Sequence, residues 1–90
     1  EANRYAELLL MQKGGEIKEI ELQPRFELQP SFVDKTGKKH RKIEYVADFK
    51  IEYKNGTVVV EDTKGFKTEI YKLKKKMFLH KFPDIIFVES

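Results

Sequence analysis

Asn55-Gly56 is the feature that most limits what this chain can become. Asn-Gly flanked by alternating apolar residues is the strongest short-range hairpin signal, because both residues accept positive φ. Before it, Ile43, Tyr45, Ala47, Phe49, Ile51 and Tyr53 alternate with more polar residues, the period-two pattern of one long strand from Lys42 to Tyr53. After it, Thr57 to Lys64 carries the β-branched run Val58-Val59-Val60 and stops at Gly65. Another alternating stretch runs from Ile20 to Phe32, with Ile20, Leu22, Phe26, Leu28 and Phe32 on one face. Pro24 and Pro30 punctuate it into one strand or two and favour a sheet edge, since a central strand needs those N–H groups. Between these strands, Asp34 to Lys39 is a polar turn around Thr36-Gly37.

Two helices bracket the strands. Tyr5, Leu8 and Leu9, with Ala6 and Met11, keep a helical rhythm over residues 2–12, and Gly14-Gly15 ends it. Thr68 can cap a second helix that runs to about Phe82, where Pro83-Asp84 breaks it. Ile70, Leu73 and Met77 form one stripe of that helix, and Tyr71, Phe78 and Phe82 another. Lys74 falls between the stripes and faces inward. Ile85 to Val88 is a short apolar strand suited to a buried parallel position. The order α-β-β-β-α-β predicts an α/β fold, a mixed central sheet with helices packed on it.

Ninety residues allow one domain, 1–90, with a modest core to which seven Phe and four Tyr contribute. The absence of cysteine removes disulfides, thiolate nucleophiles and zinc fingers, and His40 and His80 are too isolated for a His-based metal site. No apolar run approaches the roughly 18 residues a membrane span needs. The chain opens at Glu1 without Met or a signal peptide, which reads as a truncated start within a longer protein. Net charge is +3, but its distribution is uneven. Lys35, Lys38, Lys39, Arg41 and Lys42 surround His40. Lys64, Lys67, Lys72, Lys74, Lys75, Lys76 and Lys81 form a second cluster, while Glu16, Glu19, Glu21 and Glu27 sit apart. Segregated basic patches suit a polyanion partner, although each alone is also what a solvated face looks like.

Polar residues interrupt the strands at Asp48 and again at Asp62 and Lys64. Acids within a sheet are costly unless paired or metal-bound. Asp62 and Lys64 are two apart and project from one face, whereas Glu61 points to the other. An acid on one strand, with acid-x-lysine on its hairpin partner, is the arrangement phosphodiester hydrolysis wants. Carboxylates hold hard cations such as Mg²⁺, the cation polarises the phosphoryl group, and the lysine neutralises developing charge. The structural alternatives are an Asp48–Lys50 pair and an Asp62–Lys64 strand-end salt bridge.

At these residues the chain resembles the PD-(D/E)XK (restriction-endonuclease-like) superfamily, whose core has the same αβββαβ order. It is most similar to a small phage and prophage family related to Holliday-junction-resolvase-like nucleases. The resemblance rests on Glu1-Ala2, Arg4-Tyr5 and Leu8; Gln23-Pro24; Tyr45-Val46-Ala47-Asp48-Phe49; Val60-Glu61-Asp62-Thr63-Lys64-Gly65 with Thr68; and Lys74-Lys75-Lys76. It implies that Asp48, Asp62 and Glu1 are metal ligands for Mg²⁺ or Mn²⁺, with Glu7 the alternative acid on the first helix. It implies that Lys64 positions the attacking water. Lys67, Lys74, Lys75 and Gln23 become candidate contacts to nucleic acid. The expected function is a metal-dependent endonuclease acting on DNA in phage recombination, repair or processing. The setting is the cytoplasm of a bacterial host, with no membrane partner and a homodimer as one admissible assembly. The alternatives are a non-catalytic nucleic-acid-binding module of the same fold and a phage structural or assembly protein.

Register sets the fold against this chemistry. A two-residue Asn55-Gly56 turn opposes Asp48 to Thr63 and sends Asp48 and Asp62 to opposite faces. A three-residue Lys54-Asn55-Gly56 loop with Gly56 left-handed opposes Asp48 to Asp62. A bulge between Ala47 and Ile51 would achieve the same. One of these irregularities, the bulge before the loop, is what a shared cation site requires.

Overall fold

Gly14 and Gly15 end the first helix as the sequence predicts. The computed structural model describes residues 2–63 and 66–90, and α1 spans Ala2–Lys13. Its last turn closes through Gly14 N–H to Leu10 C=O at 2.9 Å and Glu16 N–H to Met11 C=O at 3.0 Å. Gly15 takes φ 89°, a conformation open to glycine because it has no Cβ.

The chain then forms one long bent ribbon. β1 (Ile17–Leu22), β2 (Arg25–Gln29) and β3 (Phe32–Val33) run outward. β4 (Lys39–His40), β5 (Ile43–Val46) and β6 (Phe49–Tyr53) run back. The pairs β1–β6, β2–β5 and β3–β4 are all antiparallel. The register crosses the first interruption unbroken. Leu22 faces Phe49, Gln23 N–H donates to Asp48 C=O at 2.9 Å, Ala47 N–H donates to Pro24 C=O at 3.2 Å, and Arg25 faces Val46. The strand expected from Lys42 to Tyr53 is therefore two strands, and the stretch from Ile20 to Phe32 takes in β1, β2 and the start of β3. The alternation was legible, but alternation does not report curvature.

β7 (Val58–Asp62) pairs with β6, then α2 (Glu69–Lys81) returns the chain to β8 (Ile86–Glu89), which is parallel to β7. The main sheet has the order β1-β6-β7-β8. Its elements come in the order αβββαβ, with the outer ribbon inserted between the first two strands, so the fold is α/β with a mixed sheet. β1 lies at the edge, as the prolines suggested. β8 is parallel as expected but is also an edge strand, with Ile86 and Val88 exposed rather than buried.

Two cores result. Leu8, Ile17, Phe49 and Ile51, with Tyr5 and Met11, pack α1 on one face of the sheet. Phe26, Leu28, Tyr45, Ala47, Val60, Tyr71 and Phe78 pack α2 on the other. Tyr45, Ala47, Phe49 and Ile51 occupy one side of one ribbon, yet the first two serve the α2 core and the last two the α1 core. The bend at Gln23-Pro24 and Ala47-Asp48 carries that apolar side from one face of the main sheet to the other. On α2 the inward stripe is Tyr71, Phe78 and Phe82, while Ile70 and Leu73 are exposed. Thr68 caps the helix, its Oγ1 accepting the Tyr71 N–H at 3.0 Å. Among the described residues no helix is long and apolar enough to cross a membrane.

Candidate active site

Asp48 sits on the bend, and three bonds fix it there. Its C=O accepts the Gln23 N–H, its own N–H donates to Glu61 C=O at 3.1 Å, and its Oδ2 accepts the Thr63 N–H at 2.8 Å. The half-buried side chain lines an open groove of about 300 Å³ with Ala2, Tyr5, Leu22, Gln23 and Phe49. Asp48, Gln23 and the start of α1 thus meet at one end of the sheet. Gln23 holds a positive φ of 47°. A non-glycine residue in that region carries strain, and such strain collects at turns and functional sites.

Asp62 ends β7, buried to 1% exposure. The Tyr45 hydroxyl donates a short hydrogen bond to its Oδ2. Burial, then the bond to Asp62, pushes the Tyr45 phenol above the ordinary tyrosine range. The hairpin adopts the three-residue loop. Tyr53 N–H donates to Thr57 C=O at 2.9 Å, Gly56 takes φ 92°, Ile51 faces Val59 and Phe49 faces Glu61. One residue further, the Asp48 N–H turns back to the Glu61 C=O and its Oδ2 takes the Thr63 N–H, so Asp48 lies beside the segment that carries Asp62. The loop sets the register near the tip, and Asp48 and Phe49 both meet Glu61, an irregularity inside the stretch where the bulge was expected.

Glu61 points away from Asp62, toward α1, and meets Arg4 in a two-pronged pair. Nε to Oε1 is 2.8 Å and Nη2 to Oε2 is 2.5 Å. Arg4 also binds Glu7 Oε1 through Nη1 at 2.7 Å. The Glu61 hydrogen bond raises the Arg4 pKa most, with Glu7 adding to it against the cost of burial. Arg4 therefore clamps α1 to β7 beside the groove, and Glu7, the alternative acid, is committed to that clamp.

The basic candidates divide. Lys74 is half-buried, as its wheel position implied, and lines a groove with Glu44, Tyr45, Val46, Phe66 and Tyr71. Lys67 and Lys75, expected as free phosphate contacts, both reach Glu89 Oε1, at 3.0 and 3.3 Å. Lys75 also lies over the Phe87 ring at 5.3 Å. The Tyr71 hydroxyl donates to Glu89 Oε2, and this bond, followed by Lys67, holds the Glu89 carboxyl at about 2. Glu1 and Lys64 lie outside the described residues. Tyr45 and Arg4 have clear structural partners at the site, and sequence reading assigned neither a role. A tyrosine at an inward strand position reads as core, and nothing local shows that its hydroxyl meets an acid from another strand.

The chemistry available is that of hard oxygen donors. Asp48 and Asp62 supply only carboxylate oxygens, and Mg²⁺ is ordinarily held by one or two carboxylates with several waters. The residues fit such an ion. No group of three or more His, Cys, Asp or Glu side chains suited to a metal occurs among the described residues.

Fold and site together define a small α/β domain in which Asp48, at the bend of a hairpin, shares a groove with the start of the first helix. A family model described as "Protein of unknown function (DUF1064)" matches residues 1–88, and the chain belongs to that family. No curated protein and no solved structure matches it.

Proposed function

We propose that the chain is a metal-dependent nuclease domain of the PD-(D/E)XK type that hydrolyses DNA phosphodiester bonds in a phage or prophage setting in the host cytoplasm. The observation that supports this reading is the pair of bonds that ties Asp48 to the end of β7. The Asp48 N–H donates to the Glu61 C=O, and Asp48 Oδ2 accepts the amide of Thr63, the residues on either side of Asp62. Asp48 and Asp62 would hold Mg²⁺ or Mn²⁺, which when bound polarises a phosphoryl oxygen and eases deprotonation of water. The Tyr45 hydroxyl orients the Asp62 carboxylate, the Arg4–Glu61 pair fixes the start of α1 beside the groove, and Gln23 borders the groove opposite. By resemblance, Lys64 places a positive charge next to the attacked phosphate and Glu1 adds a further carboxylate.

The Tyr45–Asp62 bond also favours a second reading. A buried acid satisfied by a phenol can serve structure alone, which leaves a nucleic-acid-binding module without catalysis. Cleavage separates the two. Supercoiled plasmid and synthetic junction, flap and single-stranded substrates should be cut with Mg²⁺ or Mn²⁺ and left intact in EDTA. Asp48→Asn should lower the rate by at least about 10²-fold, the scale of losing one essential electrostatic group. Equal activity in EDTA, or full activity in Asp48→Asn, refutes the nuclease reading.

A further inference from the structure

The far end of the ribbon carries a surface that the acid pair does not use. β3 and β4 form a two-stranded sheet separate from the other two, in a molecule 55 Å long but only 28 by 20 Å across. Residues 31–42 hold Lys35, Lys38, Lys39, Arg41 and Lys42 against a single acid, Asp34. That acid is consumed internally. Its Oδ1 accepts from Thr36 N–H at 2.8 Å, the Thr36 hydroxyl at 2.5 Å and Lys38 N–H at 3.1 Å, and its Oδ2 meets His40 Nε2 at 2.8 Å. Lys42 reaches Glu44 at 3.6 Å. Among the described residues, Lys35, Lys38, Lys39 and Arg41 enter no ion pair, and all four are exposed.

The second basic cluster looks richer in sequence but is partly neutralised. Lys67 and Lys75 share Glu89 and Lys72 meets Glu69, while Lys81 donates to the neutral Glu27 C=O. The tip, by contrast, gathers four cations outside any ion pair between Lys35 and Arg41, among the described residues. The tip is also ordered before any partner arrives. Besides the Asp34 bonds, Phe32 stacks on His40 with ring centroids 4.7 Å apart and planes 14° from parallel. A two-stranded ribbon with no core beneath it is ordinarily marginal, and these contacts hold it. Preformed cations cost less to order on binding than flexible ones.

We propose that residues 31–42 form a rigid cationic arm that grips duplex DNA, its two strands lying along the major groove and its lysines and arginine meeting the flanking phosphates. A two-stranded ribbon is of a size the major groove, about 12 Å wide, admits. The arm supplies affinity and orientation rather than sequence readout. The inference rests on DNA being the partner, as proposed above, but not on catalysis.

Binding of the whole chain to a duplex of about two helical turns, followed by anisotropy in EDTA, tests it without cleavage. The triple variant Lys38→Gln/Lys39→Gln/Arg41→Gln should weaken binding at least 10-fold at about 50 mM salt. It should also flatten the slope of log affinity against log salt by up to about 2.7, at about 0.9 for each phosphate no longer neutralised. Lys72→Gln/Lys76→Gln on α2 should change the slope less. The three arm residues are exposed, so the melting temperature should not move. A wild-type chain that does not bind the duplex, or a triple variant with wild-type affinity and slope, overturns the proposal. So does a loss confined to single-stranded DNA. A wild-type chain that binds through the arm yet cuts nothing with Mg²⁺ upholds the arm and refutes the nuclease.

Discussion

Asp62, a ligand in the proposed site, is first of all a buried charge that the fold must satisfy. A carboxylate exposed to only 1% must be satisfied, and the Tyr45 hydroxyl contributes to that from the ribbon across the bend. Tyr45→Phe removes the donor without changing the packed ring. The expected cost is about 1–3 kcal/mol, the penalty for withdrawing a hydrogen bond from a buried polar group, read as a lower urea midpoint at unchanged m-value. A midpoint equal to wild type would show that the hydroxyl does not support Asp62. Both acids were legible in sequence, because charge inside an alternating strand breaks its pattern. Tyr45 was not, because its ring obeys the pattern and only its hydroxyl departs from it. Arg4 escaped for a related reason. A surface arginine on a helix looks solvated until the strand opposite offers Glu61.

At the scale of elements, turn chemistry was more informative than strand length. Asn55-Gly56 announced the hairpin, Gly14-Gly15 the helix end and Thr68 the cap, and all three are where the sequence placed them. The choice between a two- and a three-residue loop was not legible, since both use glycine at positive φ. Gly56→Ala tests the loop that formed. A Cβ there meets nothing within 4 Å, so the cost is that of φ 92° alone, about 1 kcal/mol. For a domain of this size that lowers the melting temperature by roughly 4–8 °C. An unchanged melting temperature would contradict the left-handed assignment. The bend at Ala47-Asp48 was hidden because its apolar residues never leave period two. The two stripes of α2 were equally apolar in sequence, and the choice between them depends on aromatic bulk. Phe78 meets Phe26, Tyr45 and Phe87, which leaves Ile70 and Leu73 outside.

Over the whole molecule, charge follows the fold rather than the sequence clusters. Lysines that crowd together along α2 are divided among Glu89, Glu69 and a backbone carbonyl, and only the three-dimensional partners reveal it. The Glu89 clamp joins the last strand to α2, and its titration is a test. The Tyr71 hydroxyl and the two lysines hold its carboxyl at about 2, below the ordinary 4.5. The unfolded chain therefore takes up the proton first. The stabilisation is complete above about pH 4.5 and is lost as pH falls toward 2. Carboxyl ¹³C shifts should place the Glu89 midpoint well below those of exposed glutamates, and Glu89→Gln should flatten the fall in stability over that window. A Glu89 midpoint near 4.5 would contradict the clamp.

The central proposal is that Asp48 and Asp62 together hold a divalent cation. Substoichiometric Mn²⁺ added to the ¹⁵N-labelled chain tests it most directly, because the ion broadens only nearby amides. The account predicts selective broadening at Gln23, Asp48, Phe49 and Thr63, reversed by excess Mg²⁺ and absent in Asp48→Asn. Broadening centred instead on Glu19, Glu21 and Glu52, or none at all, would contradict it.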